Sequence, residues 1–211
     1  PLENVIQPGD DFKNKEAVLK KGHRLRPQDL GVLAGLGQKE VLVYKRPKVA
    51  IISSGDEVVG VDAPLLPGQV RDINRYTLGA FCQRFGVESI FMGICPDDFE
   101  SLRQTVERSL SLADSIWVSG GSSVGLKDLT LQVFRSFQNF ELLVHGISIR
   151  PGKPTIIGRI GQTPIVGLPG HVASALIVAE VFLGRLLLKL SGNMDFSCLL
   201  KPVIFAEIGR N

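Results

Sequence analysis

The chain has 211 residues, of which 44% are hydrophobic and 21% are charged, and its formal net charge is +3. This length is enough for one large domain, or for a medium domain with a smaller companion. The small basic excess comes without an arginine and lysine stripe and without interleaved aromatic residues. No nucleic-acid partner is therefore predicted.

Three cysteines stand far apart in the sequence, at Cys82, Cys95 and Cys198. Their number is odd and no pair has the spacing of metal ligands, which favours buried free thiols in a reducing compartment. The most apolar stretch, residues 172–190, is interrupted by charged side chains. We interpret it as a core helix and not as a membrane span, and we predict a cytoplasmic protein.

Residues 1–46 are predicted to form a small α+β lead-in segment. Pro27 suits the first turn of a helix, and Gly37 is placed to end it. A short strand over residues 40–44 is predicted to follow that helix.

Residues 47–191 alternate short apolar runs with amphipathic stretches. Strands are predicted over residues 49–53, 89–94, 116–119 and 142–149, and a hairpin over residues 155–157 and 164–167. Asn74 is predicted to cap the first helix between these strands, and Asp97 or Asp98 the second. The alternation indicates a three-layer α/β/α domain with a mostly parallel sheet.

Polar and glycine-rich clusters follow the predicted strands. They occupy residues 53–57, 68–74, 96–98, 119–125, 150–154 and 168–171. Ligands of open α/β sheets bind outside the carboxyl ends of the strands, so these clusters are predicted to meet in one binding site.

One of these clusters is a glycine loop between a strand and a helix. It contains Gly120, Gly121, Ser122, Ser123 and Gly125. Glycines let the backbone approach a ligand, and successive N–H groups can form a nest for an anion. A tight turn without a ligand is the alternative, but the density of glycine and serine favours a phosphate site.

A second cluster is a basic turn formed by Arg150, Pro151, Gly152 and Lys153. The prolines on either side of Lys153 stiffen the turn, so both cations can be held toward one anion. A solvated basic turn is the alternative reading.

Carboxylates accompany these cations at the strand ends, at Asp56, Glu57, Asp72, Asp97 and Asp128. Several of them can be explained as helix caps. A site with both cations and carboxylates nevertheless suits an anionic substrate bridged by Mg²⁺, because that ion prefers oxygen ligands.

These loops, in this order and spacing, resemble the central domain of the molybdenum insertase family, which includes MoeA and the corresponding part of gephyrin-type proteins. The matching residues are 54–57, 68–69 with Asp72 and Asn74, 97–98, 119–121 with 123–125 and Asp128, 151–154 and 167–170. The resemblance runs from about Gly9 to the C-terminus.

The resemblance implies a role in molybdenum cofactor biosynthesis. Such proteins insert molybdenum from molybdate into adenylylated molybdopterin, with release of AMP and with Mg²⁺ assisting. They are usually homodimers with four domains. Residues 47–191 would then be the molybdopterin-binding domain and residues 192–211 the start of a truncated C-terminal β domain, and both ends of the chain look cut.

The resemblance also implies roles for individual residues. Asp128, Glu57 and Asp97 match catalytic carboxylates, and Asp56, Asp97 and Asp128 are the predicted metal ligands. The remaining predicted binding residues are the glycine loop, the basic turn, Ser54, Gly55, Asp56, Asp72, Asn74, Pro169 and Gly170. The glycine loop would hold the phosphate or pyrophosphate of the pterin.

Two other functions fit the same domain. One is molybdopterin adenylyltransferase, which shares the domain and its glycine loop. The other is a non-catalytic molybdopterin-binding or scaffold module. The basic turn, the lead-in segment and the residues after Gly192 favour the insertase.

Overall fold

A computed structural model describes residues 5, 7, 9–120 and 126–193, and for residues 126–128 it describes the backbone only. The predicted binding residues Gly121, Ser122, Ser123 and Gly125 lie outside these ranges. The predicted C-terminal β segment lies outside them too.

The described part of the chain contains a six-stranded, mostly parallel sheet, as predicted. The described strands are β1 (Lys48–Ser54), β2 (Val58–Val59), β3 (Val70–Arg71), β4 (Glu88–Cys95), β5 (Ser115–Gly120), β6 (Phe140–His145), β7 (Ile156–Ile160) and β8 (Thr163–Leu168).

The strand order of the six-stranded sheet is β4-β1-β5-β8-β7-β6. β1 pairs in parallel with β4 and β5, β5 pairs in parallel with β8, and β7 runs antiparallel to both β6 and β8. A separate parallel pair, β2 with β3, was not predicted.

The helices are α1 (Pro27–Gly35), α2 (Asn74–Arg84), α3 (Phe99–Leu110), α4 (Leu126–Arg135), α5 (Val172–Val178) and α6 (Gly184–Leu190). One face of the sheet is covered by α2, α5 and α6, and the other face is covered by α3 and α4. A π-helical turn, Ala179–Leu183, joins α5 to α6. No helix within the described ranges is long and apolar enough to cross a membrane.

The core divides into two layers, one on each side of the sheet. Val49 and Ile51 of β1 pack into the layer covered by α2, α5 and α6, whereas Ala50 and Ile52 pack into the layer covered by α3 and α4. Alternate side chains of a strand point to opposite faces, so a strand buried on both sides reads as a continuous apolar run. This confirms the three-layer prediction.

The predicted strand over residues 142–149 is wrong at its end. β6 stops at His145, and Gly146 leaves the extended conformation with a φ of 85°. The chain turns there because Gly146 N donates to the Thr155 carbonyl and Ile147 N donates to the Lys153 carbonyl. The basic turn is therefore part of a loop that connects β6 to β7.

The predicted strand over residues 40–44 is also wrong. The predicted helix before it is present as α1, but residues 38–47 belong to no strand. Leu42 is fully exposed and Val43 is mostly so. A strand needs a neighbour to pair its backbone, and no described strand lies beside this segment. Within the residues that the structure describes, the lead-in thus contains a helix followed by a segment without regular secondary structure, and it contains no strand.

Candidate functional site

The predicted clusters meet at one edge of the sheet. The parallel strands β1, β4, β5 and β8 all end there. β6 runs in the direction of β8, and β7 runs the opposite way, so the loop from β6 to β7 returns to the same edge. Topology therefore brings the carboxylates, the start of the glycine loop and the basic turn to a common region.

Two predicted carboxylates are joined where β1 and β4 end. Ser54 Oγ donates a hydrogen bond to Asp97 Oδ1 at 3.2 Å. The Asp97 backbone N donates to Asp56 Oδ1 at 3.1 Å. Gly55 N donates to the carbonyl of Cys95 at 3.1 Å, which ties the two turns together. Ser54, Asp56 and Asp97 thus form one hydrogen-bonded group.

The pKa of Asp97 is raised above its usual value. Burial is the main cause, and the negative charges of Asp56 and Glu57 add to it. Hydrogen bonds from the Asp56 backbone and the Ser54 hydroxyl act in the opposite direction. A bound cation would relieve the repulsion between these crowded carboxylates.

Gly55 allows Glu57 to fold back over the turn after β1. Its φ is 146°, and a Cβ at this position would lie 2.7 Å from Glu57 Oε2 and 2.9 Å from Val58 Cγ2. Any larger residue would displace the Glu57 carboxylate. The glycine is therefore required by the position of a predicted catalytic group.

Asp72 has a structural role that explains its burial. Its Oδ2 accepts a hydrogen bond from Ser53 Oγ at 2.7 Å, and its Oδ1 accepts one from Arg75 N at 3.1 Å. The second bond caps the first turn of α2. Asp72, not Asn74, is thus the capping side chain, and the prediction for Asn74 as a cap is wrong.

Asn74 instead connects three parts of the site edge. It is the first residue of α2 and is buried. Its Nδ2 donates to Ser119 Oγ, at the end of β5, and to the carbonyl of Gly170, in the loop after β8, both at 2.6 Å. Pro169 in that loop is buried as well.

The glycine loop begins in the described part of the chain with Gly120, the last residue of β5. Beyond the loop, Asp128 lies in the first turn of α4. The structure thus places the backbone of the predicted catalytic aspartate directly after the loop, and its side chain is outside the description.

The backbone of the basic turn is tightly constrained. The Arg150–Pro151 peptide bond is cis, and Gly152 has a φ of 124°. A Cβ on Gly152 would lie 2.9 Å from both Ile149 Cδ1 and Val178 Cγ2, so only glycine fits. The buried Thr155 hydroxyl donates to the Gly152 carbonyl at 2.8 Å.

Arg150 and Lys153 both have exposed side chains. Within the described ranges, neither takes part in an ion pair or a side-chain hydrogen bond. A rigid backbone with two uncommitted cations can receive an anionic ligand without first breaking an internal bond.

The predicted metal site is only partly assembled by the described residues. Asp56 and Asp97 lie together, but no group of three or more histidine, cysteine or acidic side chains in the described ranges is arranged to hold a metal ion. The third predicted ligand is Asp128. The two oxygen-bearing side chains fit the preference of Mg²⁺, and the full ligand set stays a prediction.

Two serines of the predicted clusters position the site, but the sequence did not predict their partners. Ser53 and Ser119 are buried and hold Asp72 and Asn74, respectively. The clusters marked their location, but a hydroxyl reveals its partner only in the folded chain.

Sequence reasoning also missed a groove of about 1630 Å³ between the lead-in segment and the end of α6. It is lined in part by residues 41–44 and by Phe85 and Gly86, which lie just before β4. The start of a parallel strand lies at the opposite edge from its carboxyl end, so this groove is separate from the predicted site.

Comparison with known proteins identifies the family of this domain. Residues 50–189 match the protein family described as "Probable molybdopterin binding domain". The chain is 35% identical over 208 residues to a molybdopterin molybdenumtransferase from Haemophilus influenzae, covering 99% of this chain and 50% of that protein. It is 35% identical over 196 residues to a protein of the same name from a Nostoc species, covering 88% of this chain and 45% of that protein.

Solved structures agree with these sequence relatives. The molybdopterin biosynthesis MoeA protein from Pyrococcus horikosii superimposes with a TM-score of 0.78 at 39% identity, over 88% of this chain and 46% of that chain. The chain spans about half the length of the curated relatives it matches. The family match covers both the buried strands and the loops of the sheet edge. The chain therefore belongs to the molybdopterin-binding domain family.

Proposed function

We propose that the chain carries the central part of a molybdopterin molybdenumtransferase, which inserts molybdenum from molybdate into adenylylated molybdopterin and releases AMP. The observation that carries this proposal is the meeting of the Asp56 and Asp97 carboxylates and the basic turn at one sheet edge. Relatives that span the chain bear the name of that enzyme.

The basic turn would bind the anionic part of the substrate. Arg150 and Lys153 have no acidic partner within the described ranges, so their charge is available to a phosphate or to molybdate. Arginine offers a planar pair of donors, and lysine offers a point charge. The glycine loop would add backbone N–H donors to the phosphate.

The carboxylates would bind the metal ion and accept the proton. Asp56 and Asp97, with Asp128, would hold Mg²⁺, which supplies positive charge beside the phosphates when it is bound. Cleavage of the pyrophosphate link transfers a water oxygen to phosphorus, and AMP leaves. A carboxylate in this group accepts the proton of that water.

We further infer that the whole protein acts as a homodimer in the cytoplasm. Support for a reducing compartment comes from Cys82 and Cys95, which are buried free thiols. Burial raises the pKa of Cys82 to about 12, so this thiol is inert at neutral pH.

The test compares neighbouring aspartates in the whole-length protein. Asp97→Asn removes a carboxylate of the site, whereas Asp98→Asn changes an exposed side chain that caps α3 through Ser101 N. We expect Asp97→Asn and Asp128→Ala to lower molybdate-dependent cofactor formation by at least about a hundredfold. Asp98→Asn should form cofactor at close to the unaltered rate.

AMP release and cofactor formation are measured together, and circular dichroism checks that each variant is folded. Undiminished cofactor formation by Asp97→Asn and Asp128→Ala would contradict the proposal. Incubation with ATP and molybdopterin separates the adenylyltransferase alternative, since only that activity releases pyrophosphate.

A further inference from the structure

Asn74 carries a buried acceptor atom that no described residue satisfies. The residue is 8% exposed, and its Oδ1 has no hydrogen-bond partner within the described ranges. Buried acceptors are nearly always paired, because an unpaired one loses its hydration without compensation. An exception beside a ligand site calls for a functional explanation.

The orientation of this amide is set by its partners. Nδ2 donates to the carbonyl of Gly170, which can only accept a hydrogen bond. Exchanging the amide oxygen and nitrogen would bring two acceptors together at 2.6 Å, so the NH₂ group must face Gly170. Oδ1 is therefore held on the other side of the amide, where it is available only to a donor.

Asn74 lies at the sheet edge that carries the predicted site, and so does this acceptor. Ser119, its second partner, is the next-to-last residue of β5, directly before Gly120 and the glycine loop. Gly170 belongs to the loop after β8, at the same edge. Both neighbours are thus parts of the sheet edge to which the basic turn also returns.

We propose that Asn74 Oδ1 accepts a hydrogen bond from an N–H group of the bound ligand, so that a nitrogen heterocycle lies at this corner of the site. The inference rests on the proposed function, because a pterin ring offers such N–H donors. Ionised phosphate and molybdate oxygens are acceptors and would be repelled by Oδ1. The anionic end of the ligand belongs at the basic turn, and the ring belongs at Asn74.

The direct test follows the side-chain amide of Asn74 by NMR in the 211-residue chain. Its ¹³Cγ and NH₂ signals are assigned through their loss in Asn74→Asp. The probes are pterin and 1,3-dimethyllumazine, which has the same bicyclic ring but no N–H group. We expect pterin to shift the ¹³Cγ signal and dimethyllumazine to leave it in place. No pterin-induced shift, equal shifts with both probes, or a ¹³Cγ value typical of a hydrogen-bonded carbonyl in the free protein would overturn the proposal.

Binding measurements distinguish recognition from simple bracing. Asn74→Ala should weaken pterin binding about tenfold, the loss expected for one hydrogen bond. Ser119→Ala removes a partner of Nδ2 but keeps Oδ1, so its effect should be clearly smaller. Equal losses in the two variants would show that Asn74 only braces the loops. Inorganic pyrophosphate is titrated in parallel: if it fails to bind the unaltered chain, the proposed anion site is wrong, whatever Asn74 does.

Discussion

The α/β domain and the lead-in segment place their apolar side chains differently. In the domain, the strands are buried on both faces, and Ile51, Trp117 and Leu102 are almost completely enclosed. In the lead-in, Leu30, Leu36 and the side chains of residues 41–44 are largely exposed. The only buried residue of α1 is the charged Asp29.

The two regions are therefore held in place in different ways. Burial of apolar surface stabilises the domain through many contacts. The lead-in depends on a few specific interactions. Asp29 accepts hydrogen bonds from the Arg26 backbone N at 2.8 Å and from the Arg26 side chain, and it contacts His23 Nε2 at 2.8 Å. At the far end of the lead-in, the Tyr44 ring packs against Gly192.

The largest expected effect compares one leucine from each region. Leu102 is completely buried under the sheet, and Leu42 is completely exposed. Leu102→Ala should lower the free energy of unfolding by about 2–5 kcal/mol, because it removes contacts and leaves a cavity. Leu42→Ala should change it by no more than about 0.5 kcal/mol.

Urea unfolding followed by fluorescence of the single tryptophan, Trp117, measures both values. Trp117 lies in the central strand β5 and reports on the domain. A loss of similar size in the two variants would show that Leu42 is enclosed in solution.

A smaller effect is expected where the lead-in meets the domain. Gly192 and Gly86 both have a φ of 71°, so alanine is strained equally at either position. A Cβ on Gly192 would overlap the Tyr44 ring, whereas a Cβ on Gly86 would meet nothing within 4 Å. Gly192→Ala should therefore release the lead-in and cost about 1 kcal/mol more than Gly86→Ala.

Limited proteolysis detects that release. Cleavage in residues 9–47 should become faster in Gly192→Ala than in Gly86→Ala, while the α/β domain stays intact. Equal cleavage rates in the two variants would exclude the Tyr44 contact as an anchor of the lead-in.

The smallest expected effect is the response of α1 to acid. Hydrogen bonds from Arg26, and then from His23, hold the pKa of Asp29 well below its usual value of 3.8. A lowered pKa stabilises the folded segment at pH values above 3.8, and this contribution is lost as the pH falls from there through the folded pKa. The protection factors of the amides in residues 27–35, which correct exchange rates for the intrinsic effect of pH, should therefore fall as the pH drops below 3.8.

Asp29→Asn is the control for this titration. The asparagine cannot ionise, so the amides of α1 in the variant should have lower protection factors at neutral pH and show no comparable fall in acid. If the unaltered chain and the variant respond alike to pH, another group is responsible.

Much of the domain could be predicted because its signals are local. The apolar run at residues 49–53 marks β1 directly in the sequence. The glycines that follow strands mark the turns. Asp98 as a helix cap was also readable, and the structure confirms it over Asp97. The pair β2 and β3 escaped prediction, because two residues per strand are too few to show a period.

The candidate site could be predicted as a set of loops but not as a network. Most of the contacts in this network join residues 19 to 96 positions apart in the chain, such as those of Asn74 with Ser119 and Gly170 and that of Asp56 with Asp97. The choice of Asp72 as the cap of α2 depends instead on competition between neighbours. Such partners are chosen by the packing of strands, and sequence spacing does not encode them. The assignments of Glu57, Asp128 and the glycine loop to catalysis and binding stay predictions.

The order of the amino acids was enough to predict the alternation of buried strands and amphipathic helices, because burial on both faces of a sheet demands continuous apolar runs. It also determined which loops contain glycine, serine and charge. Only the tertiary structure decided that residues 40–44 form no strand, since pairing requires a neighbour that the described part of the chain does not provide. Only the tertiary structure decided, too, which polar groups satisfy one another and that Asn74 retains an unsatisfied acceptor.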